Sequence, residues 1–198
     1  TGGISTGKTT IARLLVEKGA ILIDLDEVAH RVQMPETEVW REIVETFGEG
    51  ILNPDKTINR EKLGAVVFSD PAKLNRLNEI VHPAVFRAWK SRIAEIESTQ
   101  PDAIVLSDIP LLIEIDAQER FDLIVLVYIP RDEQLERLIL RNGYSQEYAE
   151  KRIASQMSIE EKVKYARIVI DNRGTLEETE KRVEEVWREL LRLEENKR

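Results

Sequence analysis

Cysteine is absent from this 198-residue chain, and histidine occurs only twice, as His30 and His82. Without cysteine there is no disulfide scaffold, no thiolate zinc site, no iron–sulfur cluster and no cysteine nucleophile. Two histidines also argue against a multi-histidine metal centre. No apolar run approaches the ~18 residues of a membrane span. The first residues are small and polar rather than basic and then apolar, so no export signal is read there. These absences lead to the expectation of a cytoplasmic protein with no membrane partner. Basic residues are outnumbered, 29 Lys and Arg against 37 Asp and Glu, for a formal charge of −8. A phosphate backbone calls for a basic face, so no nucleic-acid partner is expected. A local basic pocket for a small anion is compatible with the same balance.

What is present is ordinary for a globular protein: 42% hydrophobic and 33% charged residues. The length suits a single domain over residues 1–198, able to bury roughly 70% of its unfolded surface. Four short apolar segments rich in Ile and Val, residues 20–23, 104–106, 123–129 and 168–170, read as buried parallel strands. Helical patterns separate them, which argues for an α/β fold with helices on both faces of the sheet. Residues 36–99 show no convincing strand and several helical patterns, with Pro71 and Pro83 as breaks or starts. Residues 176–198 carry Val183, Val186, Leu190 and Leu193 at helical spacing and read as a terminal amphipathic helix with a solvated charged face.

The strongest motif opens the chain. Gly2-Gly3-Ile4-Ser5-Thr6-Gly7-Lys8-Thr9 fits G-x-x-x-x-G-K-[ST] at every fixed position. Glycines let the backbone curl so that its N–H groups face phosphate oxygens, and the following helix adds the positive end of its dipole. Lys8 is expected to reach the β- and γ-phosphates and the Thr9 hydroxyl to ligate Mg²⁺. Gly19 stands where a left-handed helix end belongs. Such a loop hangs from a buried strand of about five or six residues, which would make a five-stranded parallel sheet in three α/β/α layers. Only Thr1 stands ahead of the motif, so the first strand is expected to be missing.

In an open α/β sheet, ligands bind beyond the carboxyl ends of the strands, and polar groups stand there. Asp24 and Asp26 follow the first visible strand, Asp108 the second, Arg131 the third, and Asp171 and Asn172 the fourth. Asp26 reads either as the base that takes a hydroxyl proton in phosphoryl transfer or as the cap of a helix over residues 27–32. Asp108 reads as the Mg²⁺-associated acid or as a turn residue. Arg137 and Arg141 share a helix face, either as cations closing over the transferred group or as a salt-bridged surface. Arg131 and Arg152 favour the surface. A lone histidine is more often structural, and His82, before Pro83, is biased to an extended backbone. Trp40, Phe47, Phe68, Phe86 and Trp89 are most simply core. No N-K-x-D-like segment of a GTPase occurs. From residues alone, the chain is a small-molecule kinase of the phosphate-loop class with an unnamed acceptor.

At this point the sequence resembles the dephospho-coenzyme A kinase family. The resemblance rests on the run from Thr1 to Thr9, Asp24-Leu25-Asp26 with Ala29-His30, Phe47-Gly48 with Ile51-Leu52, and Asn59-Arg60 with Leu63. It continues through Val67-Phe68, Leu77-Asn78, His82-Pro83 and the segment from Asp108 to Glu114. Gln134, Arg137, Arg141, Gln156, Ile170-Asp171-Asn172 and Gly174 complete it in the family's order. The resemblance implies ATP-dependent phosphorylation of the ribose 3′-hydroxyl of dephospho-coenzyme A, the last step of coenzyme A synthesis. It implies ATP contacts from Gly3, Ser5, Thr6, Gly7, Lys8, Thr9, Thr10, Arg137 and Asn172. Catalysis would fall to Lys8, Asp26 and Arg141, and Mg²⁺ would be bound through Thr9. Arg60, His82, Asp108 and Leu111 would serve the acceptor. A helical acceptor-binding region over residues 30–100 and a lid over residues 131–160 are implied with them. Ser5-Thr6 stands where the family usually has Gly-Ser, so a left-handed backbone at Ser5 would cost more. Residues 33–36 lack a glycine common there. Another nucleotide kinase of the same fold, or a nucleotide-binding regulator without transfer, are the competing functions. The oligomeric state is not readable.

Overall fold

The computed structural model describes residues 1–196; Lys197 and Arg198, the end of the expected terminal helix, lie outside the described residues. In chain order the elements are α1 (Lys8–Glu17), β1 (Ile21–Asp24), α2 (Leu25–Val32), α3 (Glu38–Phe47), α4 (Arg60–Val67) and α5 (Pro71–Thr99). Then come β2 (Val105–Asp108), β3 (Val125–Tyr128), α6 (Arg131–Asn142), α7 (Gln146–Ala154), α8 (Ile159–Lys162), β4 (Ile168–Asp171) and α9 (Leu176–Glu195). The chain divides into two compact units, Thr1–Leu22 with Asp102–Arg198, and Ile23–Pro101.

The first unit is α/β. β3 and β4 run parallel, with Val125 opposite Ile168 and Tyr128 opposite Asp171. β1 neighbours β2 in a second pair, and Ile21 N–H donates to the Ile104 carbonyl at 2.9 Å. Ile11, Leu14 and Leu15 of α1 and Val183, Val186 and Leu190 of α9 pack with Val127, Ile168 and Ile170 into one core. Burying each such side chain stabilises the fold by about 1.5–3 kcal/mol, which outweighs the modest helix propensity of these segments. Thr175 and Glu178 form a reciprocal capping box that starts α9.

A continuous five-stranded sheet does not appear among the described residues: the four strands form two pairs. Gly2 makes an isolated parallel bridge to Val127, and the Val127 N–H donates to the Thr1 carbonyl at 3.0 Å. After Gly2 the backbone turns into the glycine-rich loop, so this contact is too short to count as a strand. β2 ends two residues later than the apolar run suggested, taking in Ser107 and Asp108.

The second unit is helical. Val39, Ile43, Ile51, Leu63, Val67, Ile80 and Ala84 form its core. Thr37 caps α3, Asn59 caps α4, and Asp70 caps α5 with Pro71 in the first turn. Pro71 therefore starts a helix, as its fixed φ and missing N–H favour. Pro83 neither starts nor ends one: α5 runs through it. The extended backbone expected at His82 is thus corrected, because core packing on both sides of the proline holds the helix together. Phe68 is also corrected from core to surface at 78% exposure, since it follows the last turn of α4 and points out. Trp40 is half-buried and its indole N–H donates to the Lys56 carbonyl at 2.8 Å.

Candidate active site

The phosphate loop is held from three sides within the first unit. Gly7 caps α1 with φ 87°, a left-handed conformation that a side chain would strain. A Cβ there would also strike the amide of Asn172. That amide donates to the Thr6 carbonyl at 2.8 Å and accepts from the Thr179 hydroxyl at 2.8 Å. Gln134, 3% exposed, lies against Gly3 and donates to the Ile129 carbonyl at 3.1 Å. Gln156 accepts from the Ile4 N–H at 3.1 Å. Thr6 is buried, its hydroxyl donating to the Gly3 carbonyl at 2.9 Å, so its side chain serves the loop. Ser5 has φ 59°, the left-handed backbone anticipated as costly, and its hydroxyl is buried without a hydrogen-bond partner.

Lys8 pairs closely with Asp108 at the end of β2. Thr9 and Thr10 follow in the first turn of α1, with Thr9 exposed. Arg137 of α6 donates to the Asn172 carbonyl at 2.9 Å and lies 3.8 Å from Glu133. Arg141 is exposed in the last turn of α6 and donates to Asn142 at 2.8 Å. Asp171 pairs with Arg173, whose guanidinium holds the carboxyl below its ordinary range. The loop residues, Lys8, Asp108, Arg137 and Asn172 are therefore gathered by one unit, and Leu111, 41% exposed, belongs to the same unit.

Asp26, Arg60 and His82 belong to the second unit. The strand expected to carry both Asp24 and Asp26 ends at Asp24, and α2 begins at Leu25. Asp24 is the cap of α2, accepting from the N–H groups of Asp26 and Glu27. The cap reading of Asp26 is thereby corrected: its neighbour has that task. Arg60 lies 3.3 Å from the His30 ring nitrogen Nδ1. His82 is half-buried in α5, and burial pushes its pKa below the usual histidine value.

Spacing gave no role to Gln134, Gln156 or Lys162. Lys162 is fully buried, a fact hidden in a charged stretch that reads as surface. Among the described residues, no group of three or more His, Cys, Asp or Glu could hold a metal ion, and no helix is long and apolar enough to cross a membrane.

A glycine-rich loop wrapped onto a helix N-terminus, a lysine within it and an acid at a neighbouring strand end define a phosphate-loop nucleotide kinase. The family pattern described as Dephospho-CoA kinase matches residues 1–178. The chain belongs to the dephospho-CoA kinase family, whose enzymes phosphorylate dephospho-CoA with ATP in the final step of CoA biosynthesis. Similar proteins include the dephospho-CoA kinase of Syntrophus aciditrophicus, 54% identical over 98% of this chain and 83% of that one. The dephospho-CoA kinase of Geobacter sulfurreducens is 45% identical over 94% of each chain. Among solved structures, TT1252 from Thermus thermophilus has a TM-score of 0.81 at 34% identity, covering 96% of this chain and 94% of that one. The dephospho-CoA kinase from Campylobacter jejuni has a TM-score of 0.72 at 28% identity, with the same coverages of 96% and 94%.

Proposed function

We propose that this chain transfers the γ-phosphoryl group of ATP to the ribose 3′-hydroxyl of dephospho-coenzyme A in the cytoplasm. The observation that carries the proposal is the braced phosphate loop, with Lys8 at its end and Asn172, Gln134 and Gln156 holding its backbone. Gly3, Ser5, Thr6, Gly7, Lys8, Thr9 and Thr10 form the ATP phosphate cradle, and Arg137 and Asn172 complete the ATP contacts. Arg141 closes with the lid over residues 131–160 and neutralises the transferred group. Residues 30–100 form the acceptor-binding region, with Arg60 and His82 in it, and Asp108 and Leu111 also serve the acceptor. No nucleic-acid or membrane partner is needed for this reaction.

Asp26 takes the proton of the 3′-hydroxyl as its oxygen bonds to the γ-phosphorus and the bond to the departing ADP oxygen breaks. The filled cap at Asp24 supports this role. Lys8 stabilises the charge that spreads over the phosphate oxygens. The donor set suits Mg²⁺, which binds through few protein groups and shares phosphate oxygens. The exposed Thr9 hydroxyl would hold it, and when bound the ion neutralises phosphate charge. We also infer that the strand pairs belong to one five-stranded parallel sheet with Thr1–Gly2 at its centre. The Gly2–Val127 bridge and the 3.2 Å bond from the Thr1 hydroxyl to the Pro110 carbonyl support this arrangement.

The test supplies Mg²⁺-ATP and dephospho-coenzyme A and locates the new phosphate by phosphorus NMR and mass spectrometry. Phosphate on the ribose 3′-oxygen in step with ADP release is the expected result. ATP binding without transfer to that acceptor would reject the activity. Lys8→Ala should abolish turnover, and retained wild-type turnover would remove the loop from the mechanism.

A further inference from the structure

Lys162, at the end of α8, has a side chain with 0% exposure. Its ammonium donates to Glu114 Oε1 at 2.8 Å and to the Pro110 carbonyl at 3.2 Å. The same Glu114 oxygen accepts from the Met157 N–H at 3.0 Å. A buried ion pair is costly to desolvate, and an apolar pair of similar size is often as stable or more so. Stability alone is therefore a weak reason for charges at this point, and the bonds around them suggest a better one.

The pair joins two chain segments that both reach the phosphate loop. Next to Met157 is Gln156, which accepts from the Ile4 N–H at 3.1 Å. Two residues before Pro110 is Asp108, the partner of Lys8. The Pro110 carbonyl also accepts from the Thr1 hydroxyl at 3.2 Å, so the root of the loop is tied to the same point. One carboxylate and one ammonium thus fix the separation of the arms that hold the loop backbone and its lysine.

We propose that Glu114 and Lys162 are a positioning pair for ATP, setting the phosphate loop through Gln156 on one side and Asp108 on the other. The inference rests on the phosphate-loop reading only in naming ATP as the ligand. Neither residue touches the nucleotide. Their charges are kept because two directional bonds from one buried ammonium set a geometry that an apolar contact, which is non-directional, leaves loose.

The test measures Mg²⁺-ATP affinity by calorimetry beside the melting temperature, without acceptor. Glu114→Gln/Lys162→Met leaves no lone buried charge. It should melt cooperatively near the wild-type temperature yet bind ATP about tenfold more weakly, as expected when a cradle is held out of register. Gln156→Ala alone should also weaken ATP binding. Added to the double variant it should cost less than about twofold more, because the arm it removes is already released. Wild-type affinity in the folded double variant, or full additivity with Gln156→Ala, overturns the proposal. If the double variant does not fold, Glu114→Asp, which keeps the charge and draws the carboxylate back by one methylene, gives the same cycle with and without Gln156→Ala, and wild-type affinity or full additivity overturns the proposal there too. Because binding is the readout, a wild-type protein that binds ATP but does not phosphorylate dephospho-coenzyme A would reject the activity while leaving this inference intact.

Discussion

Asp24 and Asp26 are two residues apart, equally acidic and both exposed, yet the backbone gives them different tasks. Asp24 accepts from two N–H groups at the start of α2, so Asp24→Ala should lower stability by about 1 kcal/mol, read from chemical denaturation. Asp26→Asn should instead cut kcat by about 10²–10⁴-fold with little change in melting temperature or ATP affinity. The opposite pattern would return Asp26 to a structural role. His82 is a second case. Burial lowers its pKa, so between that value and the ordinary 6.5 the unfolded chain binds a proton that the folded chain does not. Stability should therefore fall as pH drops from about 7 through this window, and His82→Gln should flatten that part of the profile in thermal melts. The phosphate loop was legible because its chemistry needs glycines and a lysine at fixed spacing. Lys162 was not, since its burial depends on partners 48 and 52 residues away in the chain, Glu114 and Pro110.

At the scale of elements, local rules and packing compete. The rule that disfavours helix before proline marked His82, and α5 overrides it by running 29 residues through Pro83. Proline there removes the N–H that would bond the Glu79 carbonyl and crowds that turn. Pro83 is exposed, so Pro83→Ala should raise stability by about 1–3 kcal/mol, seen as a higher denaturation midpoint. An unchanged or lower midpoint would mean that the proline ring contributes packing that offsets the lost helical bond. Elsewhere the local signals agreed with the outcome: Pro71 begins α5, and the spacing of Val183, Val186 and Leu190 gave the inner face of α9. Strand ends were less legible, because Ser107 and Asp108 are polar and hydropathy stops at Leu106, whereas backbone pairing carries β2 two residues further.

At the scale of the whole molecule, the acidic balance and the anion site coexist because they occupy different distances. A formal charge of −8 is spread over a surface and screened within about 10 Å of each group, while the loop acts on phosphates through N–H groups and Lys8 in contact. The sequence showed an α/β chain with a helical stretch, and the structure resolves that stretch as a unit from Ile23 to Pro101. What spacing could not show was which far parts of the chain close the loop. The Asn172 bond to Thr6 spans 166 residues. Synthesis runs from the N-terminus, so Thr6 is made 166 residues ahead of the partner that fixes it and reaches its working form only after Asn172 has emerged. A ribosome-held chain halted before Asn172 should be unable to retain ATP, whereas one extended through α9 should retain it. Nucleotide would then reward only a chain already extended past Asn172 and offer no help to earlier folding intermediates.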